Sequence, residues 1–404
     1  MSTTMATVDN ILKEIIEPRV RDQLQSEMVA AKRIEGSSEG VYTTNTGGKY
    51  VRFATRVSRN HGIGARNENE PLPTAETQGY EDAQVKLKYF YGSIQLTGQV
   101  FQLAEKDPQA IASALDQEVN GVTETLKKDI NRQMYGTNAG ILATSSVSSA
   151  AQDEFHTTNA QYLEHGMVVD VYDEVGAIPA TGSKRKIIDI DDTVDPIVVT
   201  LDAAVGEVID INYELTRHGS RGKEKTGFAQ ITNISGAFDA LYTIEHKVWT
   251  ANIDSTGGAV TEGRMRQMCD RIRRRGGGNP SVIFCDDGIQ RAYANLLAQQ
   301  RRYTNTTTFK GGFSGIAFTT SNGEIPVVVD FDSPPATMWY INEGELRYYN
   351  DGDWSWLDRD GSRWKQVTDA NGEYDAYRAT LYKYCDIGTF RRNAHGVQTG
   401  LTPA

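Results

Sequence analysis

Side chains able to do chemistry are common in this chain, but few stand at the spacings that chemistry requires. The six histidines, His61, His156, His165, His218, His246 and His395, are scattered and never fall at the i, i+4 spacing that presents two imidazoles to one metal. Ser314, in Gly311-Gly312-Phe313-Ser314-Gly315, lacks the glycine placement of a strained nucleophile turn, which argues against a serine hydrolase. Gly276-Gly277-Gly278 lies between a predicted helix and a predicted strand. A phosphate-cradling loop runs the other way, from strand to helix. Arg271, Arg273, Arg274 and Arg275 beside it could hold an acidic partner or a phosphate, but a basic last helical turn also complements the helix dipole. Two aspartate clusters, Asp189, Asp191, Asp192, Asp195 and Asp351, Asp353, Asp358, Asp360, are rich enough in oxygen for calcium but lack the glycine and terminal glutamate of the helix-flanked loop. They read as solvated turns. Carboxylate pairs can always be found among 53 acids, so they are weak grounds for glycoside chemistry. The sequence therefore calls for no catalytic residue, no cofactor and no metal.

Composition narrows the choice further. The 404 residues carry 42 Lys plus Arg against 53 Asp plus Glu, a net charge of -11. That balance repels polyanions at long range and argues against dedicated nucleic-acid binding. Chains longer than about 250 to 300 residues divide their cores, so two or three structural units are expected. Three cysteines, Cys269, Cys285 and Cys385, are odd in number and have no metal-ligand spacing, so a reducing compartment fits and no disulfide framework is expected. Charges run through the first thirty residues where a signal peptide needs an apolar stretch, and no run of about 18 apolar residues occurs. The expectation is a soluble, unexported chain without membrane contact.

The elements that would position any site begin with an amphipathic helical arm over residues 9–35, interrupted at Pro18 and ended by Gly36. Residues 49–57 alternate, with Val51, Phe53 and Val57 on one face and Arg52 and Arg56 on the other. Residues 83–91 alternate through Val85, Leu87, Tyr89 and Tyr91, and the two segments are expected to pair. Between them, residues 58–82 include Arg59, Arg66, Pro71 and Pro73 and almost no apolar side chains. Loops longer than about 12 to 15 residues are uncommon unless functional or disordered, and an isolated two-stranded ribbon is marginal. This ribbon needs a surface outside itself.

Next comes a helix capped by Asp107, with Pro108 in its first position and Gly136 past its end. Its apolar spacing runs from Ile111 to Met134, and packing along much of its length is expected to hold it, since Gly121 inside it costs about 1 kcal/mol relative to alanine. Residues 144–158 read as a Ser/Thr/Ala linker. Short strands follow at Met167 to Val171, Lys186 to Ile190, Ile197 to Leu201 and Glu207 to Tyr213, suggesting a small sandwich or barrel inserted over 160–232. A helix over 261–274, a strand at Ser281 to Cys285 and a helix over 287–301 form a local α/β unit. The strand Ile325 to Phe331 is stopped by Pro334 and Pro335, and a β-like tail holds four of the five tryptophans.

This order of parts resembles the major capsid proteins of tailed bacteriophages, whose fold is shared with encapsulin shells and the herpesvirus capsid floor. The stretch Gly276 to Asp287 with its following helix, and Gly323-Glu324-Ile325-Pro326-Val327-Val328-Val329, are similar to the axial-domain segments of that family. The resemblance implies an α+β fold with an N-terminal arm (1–40), an extended β-hairpin loop (41–100) and a peripheral domain (101–159) carrying a spine helix over 108–135. It further implies an inserted β-rich domain (160–232), an axial domain (233–335) and a β-rich return (336–404). The implied function is that of a virion shell subunit, assembled in the host cytoplasm into hexamers and pentamers of an icosahedral capsid. Such a shell encloses double-stranded DNA without sequence-specific binding, and scaffolding, portal and decoration proteins are further candidate partners.

Val51, Arg52, Phe53, Arg56, Arg59, Arg66, Lys86 and Lys88 are the candidate subunit-interface residues. Some family members join a ribbon lysine to a neighbour's asparagine. Lys49, Lys86 and Lys88 are candidates by location alone, and no cross-link is expected. Two alternatives stay open: an encapsulin-like protein nanocompartment, and a carbohydrate-binding or hydrolytic β-rich protein that uses exposed aromatic rings.

Overall fold

Strand Gly372–Thr389, eighteen residues long, organises the first sheet. It pairs antiparallel with Lys88–Thr97, from Ala376 opposite Thr97 to Cys385 opposite Lys88, and also with Leu346–Asn350, Ser355–Trp356 and Lys365–Asp369. Val41–Thr43 adds in parallel to Leu346–Asn350. The computed structural model describes residues 28–35, 41–43, 50–99, 108–235, 237–239, 241–242, 246–299, 307–308, 314–320, 323–358, 361–369 and 372–404. Most of the expected arm helix, Lys49 and Asp107 lie outside these residues; of the arm, Ala30–Glu35 is helical.

The pairing of 83–91 with 49–57 is realised only in part. Val51–Arg56 pairs with Tyr80–Val85, but the chain then breaks at Lys86 and Leu87, and Lys88–Thr97 crosses to the long strand. The break shifts the buried face by one residue. Phe90 and Ile94 turn inward, while Tyr89 and Tyr91 are 63% and 54% exposed. A one-residue slip exchanges the faces of a strand, because its side chains alternate with a period of two.

The second sheet has six strands in the order Ile141–Thr144, Glu214–Arg217, Val168–Tyr172, Arg185–Asp191, Ile197–Leu201, Glu154–Thr157. It encloses its own core of Phe155, Val169, Val171, Ile187, Val199 and Leu215. Two expectations are corrected here. Residues 144–158 are not a linker, since they contain a strand whose Phe155 is fully buried. The segment Glu207 to Tyr213 is not a strand, and pairing is carried by Glu214–Arg217 instead. In both places the local composition was outweighed by the few apolar residues able to reach this core.

The third sheet is mixed and seven-stranded, ordered Asn252–Asp254, Gly396–Gln398, Met338–Ile341, Val282–Cys285, Gly323–Val329, Ser314–Thr320, Thr307–Thr308. All four residues of Val282–Cys285 are buried, as expected for a central strand. Helices Glu262–Gly276 and Asp287–Gln299 pack on it. Thr261 caps the first, accepting from the Arg264 amide, and Gly277 closes it in the left-handed region at φ 70°.

The spine helix, Pro108–Gln133, ends close to its expected limit. Its support differs from the expectation. Among the residues whose burial is described, 118–129 are exposed to half-buried, and Ile130 to Tyr135, its C-terminal turn and the residues after it, are buried. The helix packs against strand Lys88–Thr97 at Gly92, where a Cβ would stand 2.5 Å from Leu126 Cδ1 and 2.8 Å from Val122 Cγ1. Gly227 permits a second close approach: a Cβ there would lie 2.5 Å from both the Gln133 and Gly136 carbonyl oxygens.

Candidate subunit interface

A buried polar junction fixes the elements that carry the ribbon. Asp330 accepts from the Ala30 amide at 2.9 Å, the Tyr135 hydroxyl at 2.9 Å, Asn131 Nδ2 at 3.1 and 3.2 Å, and the Asp332 amide at 3.0 Å. Asn131 in turn accepts from the Ala31 amide at 2.9 Å. The helix Ala30–Glu35, the end of the spine helix and the end of strand Gly323–Val329 in the third sheet thus meet on one carboxylate. Burial pushes the Asp332 carboxyl beside it up to about 6, against the hydrogen bond from Asn131. Arg33 adds an ion pair to Glu343 at 2.7 Å.

Two further buried cations brace the core from which the ribbon leaves. Arg392, 1% exposed, donates to the carbonyls of Ile231 at 2.8 Å, Gln230 at 3.2 Å, Trp249 at 3.3 Å and Asn233, and lies over the Phe238 ring. Burial lowers its pKa to about 10. Lys225 is fully buried; its amide donates to Gln133 Oε1 at 3.0 Å and its ammonium to the Met134 sulfur, and burial brings that ammonium down to about 8. Sequence reasoning found neither residue, because both are packed by partners tens to more than a hundred positions away.

The ribbon itself alternates as expected. Val51, Phe53 and Thr55 are half-buried while Arg52, Ala54 and Arg56 are exposed. Phe53 sets its ring edge-on to Phe390, centroids 4.9 Å apart, so this candidate interface residue also belongs to the chain's own core. From residue 57 to residue 79 there is no helix or strand. Local hydrogen bonds shape the segment: Val57 N to Gly79 O at 3.0 Å, Gly62 N to Asn60 Oδ1 at 2.7 Å, Arg66 Nε to Pro71 O at 3.0 Å, and Asn67 N to Glu70 Oε2 at 3.0 Å. Ile63 and Leu72 are 82% and 84% exposed.

The structure brings Arg56 and Arg59 together but not with Lys86 or Lys88. Arg52 donates to the Tyr50 hydroxyl, and Arg56 to Gln78 Oε1 at 3.2 Å. Among the described residues, none of Arg52, Arg56, Arg59 and Arg66 has a carboxylate at ion-pair distance. Arg56 and Arg59 instead line a groove of about 660 Å³ at the ribbon's base, facing Val248, Arg275, Phe390 and Arg391. Lys86 and the half-buried Lys88 line a second groove of about 850 Å³, between the spine helix and the loop 217–224. The floor residues of both grooves were missed in the sequence, except Arg275, which the basic run at the end of its helix had marked.

Residues 201–359 match the family model described as SU10 major capsid protein. Over 99% of this chain and 100% of the other, the structure is similar to a chain of the cyanophage A-1(L) capsid asymmetric unit, with a TM-score of 0.60 at 13% identity. The fold is that of a phage major capsid protein. A Mycobacterium phage Bobi chain matches at TM-score 0.49, 9% identity and 99% coverage of both chains. The holo-SrpI encapsulin of Synechococcus elongatus PCC 7942 matches at 0.49, 7% identity, over 100% of this chain and 97% of that one. No curated protein matches the sequence. The capsid resemblance read from the order of elements, and the mixed α+β class, are thereby shown. The matching family is a structural capsid protein, which is not an enzyme class.

Proposed function

We propose that the chain is the repeating subunit of a tailed-phage capsid, assembling into hexamers and pentamers of an icosahedral shell around double-stranded DNA, without catalytic activity of its own. The major capsid protein domain over residues 201–359 and the capsid fold support this reading. The observation that carries it is the ribbon. Residues 57–79 run without regular structure, with Ile63 and Leu72 82% and 84% exposed and, among the described residues, no carboxylate paired with Arg59 or Arg66. A neighbouring copy supplies what they lack, because desolvated arginine pairs fix the register between identical subunits.

In this reading residues 1–40 form an arm, 41–100 the extended loop, 101–159 the peripheral domain, 160–232 the inserted domain, 233–335 the axial domain and 336–404 the return through both. Val51, Arg52, Phe53, Arg56, Arg59, Arg66, Lys86 and Lys88 stand at or near the subunit contacts. Assembly takes place in the host cytoplasm, and scaffolding, portal and decoration proteins join the shell. Enclosed DNA faces a chain of net charge -11, which suits a wall that must not bind its contents tightly. Negative-stain microscopy of the expressed chain, with and without its genomic neighbours, tests the reading. Closed shells or capsomer rings are expected, and a lone monomer at high concentration would overturn it. Shells that purify with cargo protein and without a genome would assign the chain to the nanocompartments instead.

A further inference from the structure

Charge is segregated along this chain more sharply than its total suggests. Residues 187–216 contain Asp189, Asp191, Asp192, Asp195, Asp202, Glu207, Asp210 and Glu214, with no Lys, Arg or His among the thirty. Several aliphatic side chains of the same stretch face solvent: Ile188, Val194, Val208 and Ile211 are 43% to 49% exposed. Most of its acids are unpaired with cations. Among the described residues only Asp202, with Arg185 at 3.7 Å, and Glu214, with Arg221 at 2.5 Å, form ion pairs. The tip between strands Arg185–Asp191 and Ile197–Leu201 gathers Asp191, Asp192 and Asp195 around the exposed Val194, and none of these acids forms an ion pair among the described residues.

The groove at the ribbon's base has the opposite character. Arg56, Arg59, Arg275 and Arg391 line it with His61, and no carboxylate is among its described lining residues. Arg275 is occupied by the Ala251 carbonyl and Asn252 Oδ1, both at 3.2 Å, and burial with the nearby Arg271 charge lowers its pKa. Arg391 is partly neutralised by Glu345 at 3.2 Å, outside the groove. Among the described residues Arg56 and Arg59 have no anionic partner. Val248, 53% exposed, and the half-buried Phe390 make part of the groove wall apolar.

We propose that this groove receives the acidic tip of residues 191–195 from a second copy of the chain. The inference rests on the capsid reading and deepens it by naming what Arg56 and Arg59 face. Charge complementarity is the argument. A net charge of -11 on every copy disfavours assembly at long range, so a contact between copies must join the few basic surfaces to the most acidic ones. The exposed Val194 at that tip matches the apolar wall, which a DNA backbone would not use.

The test is a charge swap in the full chain, read by sedimentation of capsomers and shells across a salt series. Arg56→Glu with Arg59→Glu is expected to raise the protein concentration for half-assembly at least about tenfold near 0.1 M salt. Adding Asp192→Arg and Asp195→Arg to the same chain is expected to restore it. A second readout uses the burial of all three native cysteines. Arg59→Cys with Asp192→Cys is expected to give a ladder of disulfide-linked oligomers, and Arg59→Cys with Glu124→Cys none.

Assembly of the Arg56/Arg59 variant at the wild-type concentration would overturn the proposal, as would a disulfide ladder from the Glu124 pair alone. Normal shells that retain less DNA would assign the groove to the packaged polyanion and overturn it too. A wild-type chain that never assembles at any salt would refute the capsid reading itself, a result separable from these.

Discussion

Replacing Asp330 by alanine tests the junction on which the helix Ala30–Glu35, the spine helix and the third sheet converge. The carboxylate is 1% exposed and receives the Ala30 amide, the Tyr135 hydroxyl, the Asp332 amide and Asn131 Nδ2. Asn131 keeps a second acceptor, Asp332 Oδ2 at 2.6 Å, so three donors are left without a partner in the variant. Each orphaned buried donor costs about 1 to 3 kcal/mol, and removal of a buried charge offsets part of the sum. The expected loss is therefore about 3 to 5 kcal/mol. Urea unfolding followed by tryptophan fluorescence reads it, because Trp249 and Trp339 are buried in the same core. Tyr135→Phe removes one of the four donors and should cost about 1 kcal/mol, and the double variant should cost less than the sum of the two. Amides of Ala30–Glu35 should lose protection in the alanine variant. A loss below about 1 kcal/mol with the arm helix still protected would refute the reasoning.

Lys225→Met should stabilise the chain, because the ammonium is buried beside a thioether with its pKa brought down from 10.5 to about 8. The shift corresponds to about 3 kcal/mol. Since the folded value lies below the unfolded one, the penalty is complete below pH 8, shrinks as pH rises, and is gone above 10.5; denaturation of wild type and variant across that window checks it. Asp386, fully buried with its carboxyl pushed by burial from 3.8 up to about 6, acts in the acid range. Its contribution to stability should rise as pH falls from 6 to below 4, and Asp386→Asn should remove that rise from the unfolding profile. Gly227→Ala places a methyl 2.5 Å from two carbonyl oxygens and should cost about 3 kcal/mol or more, measured as lost soluble yield and a lowered Tm.

The parts of this fold legible in the sequence are those fixed by local rules. Pro108 and Gly136 bracket the spine helix, the glycines 276–278 mark the end of the basic helix, and alternation over Val51–Arg56 marks the ribbon. What local rules do not fix was missed. Nothing near Lys86 announces that the strand leaves one partner for another, because the cause is the long strand nearly three hundred residues on. Ser- and Thr-rich residues 144–158 hide a strand whose single buried ring, Phe155, completes a core built elsewhere. The candidate interface divides in the same way. Arg56 and Arg59 follow from alternation and from the absence of apolar neighbours, whereas Val248, Phe390 and Arg391 reach the same groove only through tertiary folding.

The account depends most on the claim that residues 57–79 find their cover on another copy. Hydrogen exchange of that segment, compared between dilute subunits and assembled material, tests it directly. Protection should be low in the dilute chain, where backbone amides outside helix and strand face water, and should rise sharply on assembly while the core strand Val282–Cys285 stays unchanged. Equal protection of residues 57–79 in both samples would contradict the account.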